Sequence, residues 1–339
     1  MNMKKIFLTI LAITALILTS CKNTVDIYSN SGDSTIVYAM LDPGLDTNFF
    51  KITKSFVGNA NQFAQNYDAN NYGYDEIDVR FGRCEHSTIT QAFPVDTISV
   101  YLPYDTTSIF YNGCRQTYYY TKKKLEDGKK YRLEIFRKAD SVTVSTEITT
   151  LSTFGYKTNK MLGIYPNFNM QKDNGLIAWA YSNDQVSKAT YFDITLYFSY
   201  IENPGASQTK QTIVWNIGSG TEETLWNSND NIYNIRMKPS SFFSILENDE
   251  HLRNTQASSR RIIDTIEIKV SGIGEDLYNY YLVNNSSSAI QDVPNYSNIE
   301  NGVGLTSARS SSLLLSKILK ESLDKIVEDF PQYNFYYNP

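Results

Sequence analysis

"LEDGKKYRLEI", residues 125–135, carries three signals in one short run. Glu126, Asp127 and Gly128 make a turn, because Asp bonds its own backbone and Gly tolerates positive φ. Tyr131, Leu133 and Ile135 then alternate with Arg132 and Glu134, the period of a strand with one face buried and one in water. Leu125 stands six residues before Tyr131. A Leu, a turn and a Tyr at the start of a strand are the parts needed to fix a crossover between two sheets.

The same alternation recurs on both sides. Ile36–Leu41 reads as a strand stopped by Asp42, Pro43 and Gly44, and Phe50, Ile52 and Phe56 resume it. Ile77, Val79 and Phe81 alternate with Asp78 and Arg80, and Val142, Val144 and Ile148 fit a closing strand. With these neighbours, the Leu125 and Tyr131 pair resembles the structural tyrosine corner of immunoglobulin-like and fibronectin type III-like sandwiches. A Tyr in an unrelated hairpin is the alternative.

Residues 150–160, polar around Gly155, separate this half from a second run of strands. That run comprises Leu176–Trp179, then Tyr191, Ile194, Leu196 and Phe198, a turn at Asn203, Pro204 and Gly205, and Gln211–Ile217. Short helices are expected after Pro239 and after Gly274. Leu315, Leu319, Leu323, Ile326 and Phe330 form a helical stripe ended by Pro331. The expectation is a mainly β chain of two β-sandwich domains, 36–152 and 155–311, with a few short helices and a C-terminal helix and tail at 312–339.

The N-terminus fixes a compartment. Lys4 and Lys5 precede an apolar run, Ile6–Leu18. A spanning helix needs about 20 residues, so the run has the length of a secretory signal instead. It ends in Leu18, Thr19, Ser20 and Cys21, which resembles the bacterial lipobox. That resemblance implies removal of residues 1–20, lipidation of Cys21 and a flexible tether over 21–35. Three acyl chains exceed the two signals that stable anchoring requires. An ordinary signal peptide with an incidental Cys is the alternative. Lys22 stands where the inner-membrane retention signal has Asp, so the expected location is the bacterial outer membrane, on a face the sequence leaves open.

Removing residues 1–20 takes two of the 31 basic residues and leaves 29 against 36 acidic ones, a balance of −7. An acidic chain offers no footprint for nucleic acid. Lys122, Lys123, Lys124, Lys129 and Lys130 straddle the turn at Gly128 and read as a solvated turn. Cys84 and Cys114 remain as a pair in an oxidising compartment, and a bridge between them would close a loop of roughly 30 residues worth about 3 to 4 kcal/mol. Two free thiols are the equal alternative. With His86 and His251 as the only histidines, neither zinc nor another cofactor is expected.

Catalytic signatures are lacking. There is no Gly-x-Ser-x-Gly elbow, and Ser207 to Lys210 matches Ser-x-x-Lys in a loop where that motif needs a helix start. Carboxylate pairs such as Glu222 and Glu223 have no separation readable from sequence. Tyr67, Tyr72 and Tyr74 lie in the Asn-rich stretch 59–74 and are candidate ligand-contact aromatics, with a structural role as the alternative.

"IVYAMLDPGLDTNFFKITKSFVG", "SSFFSILEN" and "LYNYYLVNNSSSAIQDVPNYSNIENGVGLTSARSS" resemble uncharacterised outer-membrane lipoproteins of the Bacteroidetes, over about Ile36 to Ser311. Thr306 departs from the aromatic usual in those relatives. The resemblance implies a cell-envelope lipoprotein with immunoglobulin-like domains and no known activity. The function expected is a non-enzymatic binding or accessory subunit, with an outer-membrane transporter as one partner; capture of a glycan or peptide is the alternative, and a hydrolase with an unrecognised carboxylate site a more distant one.

Cys21→Ala abolishes lipid labelling and releases the chain from the membrane fraction. Unchanged retention of that variant refutes the anchor.

Overall fold

The computed structural model describes residues 34–55, 73–74, 76–101, 115–156, 167–168, 176–181, 187–203, 208–229, 232–255, 259–285, 296–318 and 320–337. Residues 1–33, which include the expected signal peptide, Cys21 and most of the expected tether, and Phe56, Tyr67, Tyr72 and Cys114 lie outside them.

The chain is mainly β. Its first half holds β1 (Thr35–Leu41), β2 (Asn48–Lys54), β3 (Ile77–Glu85), β4 (Thr88–Phe93), β5 (Asp96–Tyr101), β6 (Arg115–Thr121), β7 (Lys130–Arg137) and β8 (Val142–Thr149). Next come β9 (Phe154–Tyr156), β10 (Asn167–Phe168), β11 (Leu176–Tyr181), β12 (Tyr191–Glu202), β13 (Thr209–Thr221), α1 (Glu222–Leu225), β14 (Trp226–Asn227) and β15 (Ile232–Arg236). The remainder is α2 (Pro239–Asn248), α3 (Glu250–Asn254), β16 (Arg261–Ile273), α4 (Glu275–Asn285), β17 (Val303–Ile318), α5 (Lys320–Asp329), a 3-10 turn (Pro331–Tyr333) and β18 (Phe335–Tyr336).

A long sheet runs β13-β12-β16-β17-β1-β2-β6-β5, with β10 added to β17 and β18 to β16. Two four-stranded sheets, β4-β3-β7-β8 and β14-β15-β11-β9, accompany it. β17 joins the halves of the chain. Its start, Val303–Ala308, lies parallel to Ile36–Leu41 of β1, and its later part, Arg309–Ser316, lies antiparallel to β16. The division expected between 152 and 155 is thereby crossed by a hydrogen-bonded sheet, and residues from Ser34 onward form one compact unit. Alternation shows that a segment is a strand; it carries no information on which distant strand pairs with it.

The C-terminal helix is shorter than expected. Residues 312–318 continue β17, with Leu313 opposite Lys269 and Leu314 opposite Ile268, and α5 starts only at Lys320. Locally the leucines fit a helix, but β16 presents an open ladder along their whole length, and long-range pairing overrides local preference. Ile326, on the buried side of α5, and Phe330 after it still face the core.

Two aromatic centres result within one contiguous hydrophobic core. Val37, Leu41, Phe50 and Ile52 of the long sheet pack with Phe81, Leu133, Ile135 and Val144 of β4-β3-β7-β8. Phe50 and Phe81 are 4.8 Å apart at their ring centroids, and Phe81 stacks on Tyr131 at 5.6 Å. Leu125 and Tyr131 are both buried, and the Tyr131 hydroxyl oxygen accepts the backbone N–H of Glu126 at 2.8 Å. In the second centre Trp179, fully buried on β11, stacks on Tyr233 at 5.9 Å and meets Phe192 of β12 edge-on at 5.5 Å. Phe242 of α2 closes the far end against Phe198 and Trp215.

The late motif seals the first centre. Asn298 donates to the Thr306 carbonyl at 2.6 Å and accepts its N–H at 2.9 Å, and the Thr306 hydroxyl meets that of Thr146 at 2.6 Å. Thr306 is fully buried between the sheets, so a small side chain with a hydroxyl fits where an aromatic ring would not. Gly304 pairs with Val37 at φ +125°, and a Cβ there would stand 2.1 Å from the Val37 carbonyl oxygen.

Gly304→Ala is expected to cost about 3 kcal/mol or more, since it combines a strained φ with a backbone clash at the β1–β17 seam. Tyr131→Phe removes the partner of a backbone N–H and costs about 1 to 3 kcal/mol. Urea unfolding checks both. Losses under about 0.5 kcal/mol, the ordinary surface range, would show that these contacts do not hold the fold.

Candidate functional site

The sheet that buries Val37 and Phe50 on one side turns a row of rings to solvent on the other. Strand alternation requires this: Phe50 and Tyr119 are paired and face the core, so Phe49, Tyr118 and Tyr120 face outward. Register then aligns two rows, one across four strands and one across three. Tyr38 of β1, Lys51 of β2, Tyr118 of β6 and Ile98 of β5 form one, and Phe49, Tyr120 and Asp96 form the next. At one strand spacing of about 4.8 Å, the first row spans about 14 Å.

Tyr38, Phe49 and Ile98 are open to solvent, and Lys51, Tyr118 and Tyr120 are half-buried between them. Tyr38 is 46% exposed, Phe49 50% and Ile98 45%, values far above those of the inward residues beside them. Phe49 and Tyr120 rings lie 5.7 Å apart, with Lys122 Nζ 5.8 Å from the Tyr120 centroid. The Tyr118 hydroxyl donates to Gln116 Oε1 at 2.9 Å. Partial burial, with Tyr280 beside it, pushes the Tyr38 hydroxyl above the usual phenol range. The surface thus offers flat apolar rings with polar groups among them, suited to stacking and hydrogen bonding.

Helix α4 borders the face. Gly274 N–H donates to the Ala308 carbonyl at 2.9 Å, and Leu277 N–H to Ser307 Oγ at 3.3 Å, which docks the helix start on β17. Tyr278 stacks on Tyr191 of β12 at 5.3 Å. Tyr281 and Leu282 point to solvent, 55% and 46% exposed.

Of the candidate ligand-contact and disulfide residues singled out in the sequence, the two described ones, Tyr74 and Cys84, fall elsewhere. Tyr74 is tied inward: its hydroxyl meets Thr35 Oγ1 at 2.7 Å, and Lys54 sits 5.5 Å from its ring centroid. Cys84 is a buried free thiol on β3 beside the bulge between Arg83 and Cys84, and burial pushes its pKa up. The sequence signal for the aromatic face was present in the triplet Tyr118, Tyr119, Tyr120, whose faces alternate on a strand. Tyr38 and Phe49 were missed because which face a sheet buries depends on the second sheet.

The buried charges have structural tasks. Asp42 pairs with Arg309 at 3.1 Å and accepts the Gly44 N–H at 2.8 Å, joining the end of β1 to β17. Glu202 pairs with fully buried Arg261 at 2.6 Å and with His251 at 3.0 Å, while Arg261 Nη1 donates to the Tyr333 carbonyl at 2.7 Å. Among the described residues, no group of three or more His, Cys, Asp or Glu is placed to hold a metal ion, and no helix is long and apolar enough to cross a membrane. Comparison with protein-family profiles and with curated proteins gave no match.

Burial raises the hydroxyl of Tyr200 to about 12 and pushes Tyr181 and Tyr233 up as well. An unfolded Tyr ionises near about 10, so the stability these groups supply is complete below that pH and is lost above it. Denaturant unfolding between pH 9 and about 12 should therefore show stability falling by about 1.4 kcal/mol per pH unit for each such Tyr above about 10. A flat profile would mean that these hydroxyls ionise in the folded state as readily as in water.

Proposed function

We propose that the chain is a lipid-anchored outer-membrane lipoprotein that acts as a non-enzymatic binding or accessory subunit of the cell envelope. The exposed aromatic face of β1, β2, β6 and β5 is the observation that carries the binding role. A monomer's surface seldom collects aligned rings without a use, and rings of this kind concentrate binding energy in protein interfaces. Cys21 supplies the membrane attachment, and the intended partner is an outer-membrane protein such as a transporter. The facing sheets of the first half, with Tyr131 bound to the backbone of Glu126, support an immunoglobulin-like sandwich for this body.

Glycan or peptide capture is the second reading. The same face favours it, because Tyr38, Tyr118 and Tyr120 offer ring surfaces with hydroxyl rims, and Gln116 and Asp96 add hydrogen-bonding groups. Of the three Tyr named in the 59–74 stretch, Tyr74 is engaged with Thr35, and the rings of the sheet are the described surface that supports this reading.

Mild crosslinking in the native outer membrane, followed by identification of what co-purifies, tests the first reading. A stoichiometric outer-membrane partner, lost from a Phe49→Ala, Tyr120→Ala variant whose unfolding midpoint is unchanged, supports it. Recovery of the lipoprotein without a partner refutes it, and retention of glycans that depends on the same rings would establish the second.

A further inference from the structure

A β-strand at a sheet edge leaves alternate N–H and C=O groups unpaired, and proteins blunt such edges with bulges, Pro, Lys, short strands or a covering segment. The described edges of this protein carry those devices, with one exception. β13 faces β12 across an irregular register between Ile194 and Thr195 and carries Lys210, Gly218 and Gly220. β4 is bulged against β3 and is followed by Pro94. β8 is closed by the backbone bridge of Ser145 with Glu300. β9 and β14 are only three and two residues long.

β5 has none of these. Its sequence, Asp96-Thr97-Ile98-Ser99-Val100-Tyr101, contains no Lys, Pro or Gly, and all six residues are exposed. It pairs with β6 in unbroken register from Asp96 opposite Tyr120 to Tyr101 opposite Arg115, and no described strand lies on its other side. A regular, β-prone, exposed edge of this kind is a template for another strand.

We propose that β5 pairs antiparallel with β5 of a second copy of this chain, about a two-fold axis at Ser99. The strand's own sequence selects that occupant. On such an axis Ile98 faces Val100 of the other copy, Thr97 faces Tyr101, and Ser99 faces its twin. Side-chain parity is kept, so Ile98 and Val100 stay on the outer face and Thr97, Ser99 and Tyr101 on the inner one. No like charges meet, and each pair joins β-branched, aromatic or hydroxyl side chains that favour cross-strand contact. Ile98 lies in the row of Tyr118, Lys51 and Tyr38, so the pairing joins the aromatic faces of two copies into one. A six-residue edge buries less than the roughly 1,000 Å² of a stable interface, which makes the dimer concentration-dependent. The pairing requires neither the lipid anchor nor any particular ligand.

The test uses the full chain purified in detergent. Ser99→Cys under mild oxidation is expected to give a covalent dimer on a non-reducing gel, whereas the unsubstituted chain and Val214→Cys, on the exposed side of β13, do not. Light scattering of the unsubstituted chain is expected to show mass rising towards a dimer with concentration, and Ile98→Lys with Val100→Lys to lose it. A monomer at every concentration overturns the proposal, whatever Ser99→Cys does. So does a crosslink from Ser99→Cys that reaches only a different protein or another cysteine of its own chain.

Discussion

The seam between β1 and β17 is the constraint on which the structure depends. β17 is long enough to serve two partners in succession, parallel to β1 and then antiparallel to β16. A parallel pair cannot be made by a hairpin and needs a crossover connection, which here spans the chain from Leu41 to Val303. Gly304 lets the backbones close at Val37, and Asn298 holds the turn that aims β17 into place. Arg309 on Asp42 adds an ion pair just beyond the parallel stretch. Among the described residues, the elements from β2 to α4 lie in the chain between these two paired strands.

Closure of this seam also explains why two aromatic centres coexist on one sheet. The β1 side of β17 supports the centre of Phe50, Phe81 and Tyr131, and its β16 side leads to that of Trp179, Phe192 and Tyr233. Each centre is covered by its own four-stranded sheet, and the long sheet is common to both. Where no second layer covers the long sheet, its outward side chains remain in water, and Tyr38, Phe49 and Ile98 are found there. The candidate binding face is in this sense the uncovered remainder of the layer that builds the core. Its edge strand, β5, belongs to the same uncovered region, which is why a binding surface and an association edge lie side by side.

The sequence by itself determined the strands and the turns. Leu125, the Gly128 turn and Tyr131, the alternation of Ile77, Val79 and Phe81, and the Asn203 turn between β12 and β13 are local patterns, set by residues within a few positions of one another. The run before Cys21 is equally local. Tertiary structure alone decided the partners. Leu313–Leu315 lie in a strand because β16 is beside them, the two expected domains share one sheet because β17 reaches β1, and Tyr74 is held inward because Thr35 meets its hydroxyl. Tyr119 packs against the core while Tyr118 and Tyr120, half-buried, face the other side of β6, because the second sheet lies on one side of that strand and not the other. Local spacing fixes which atoms a segment can offer to its neighbours; packing between segments far apart in the chain fixes which of those offers is taken up.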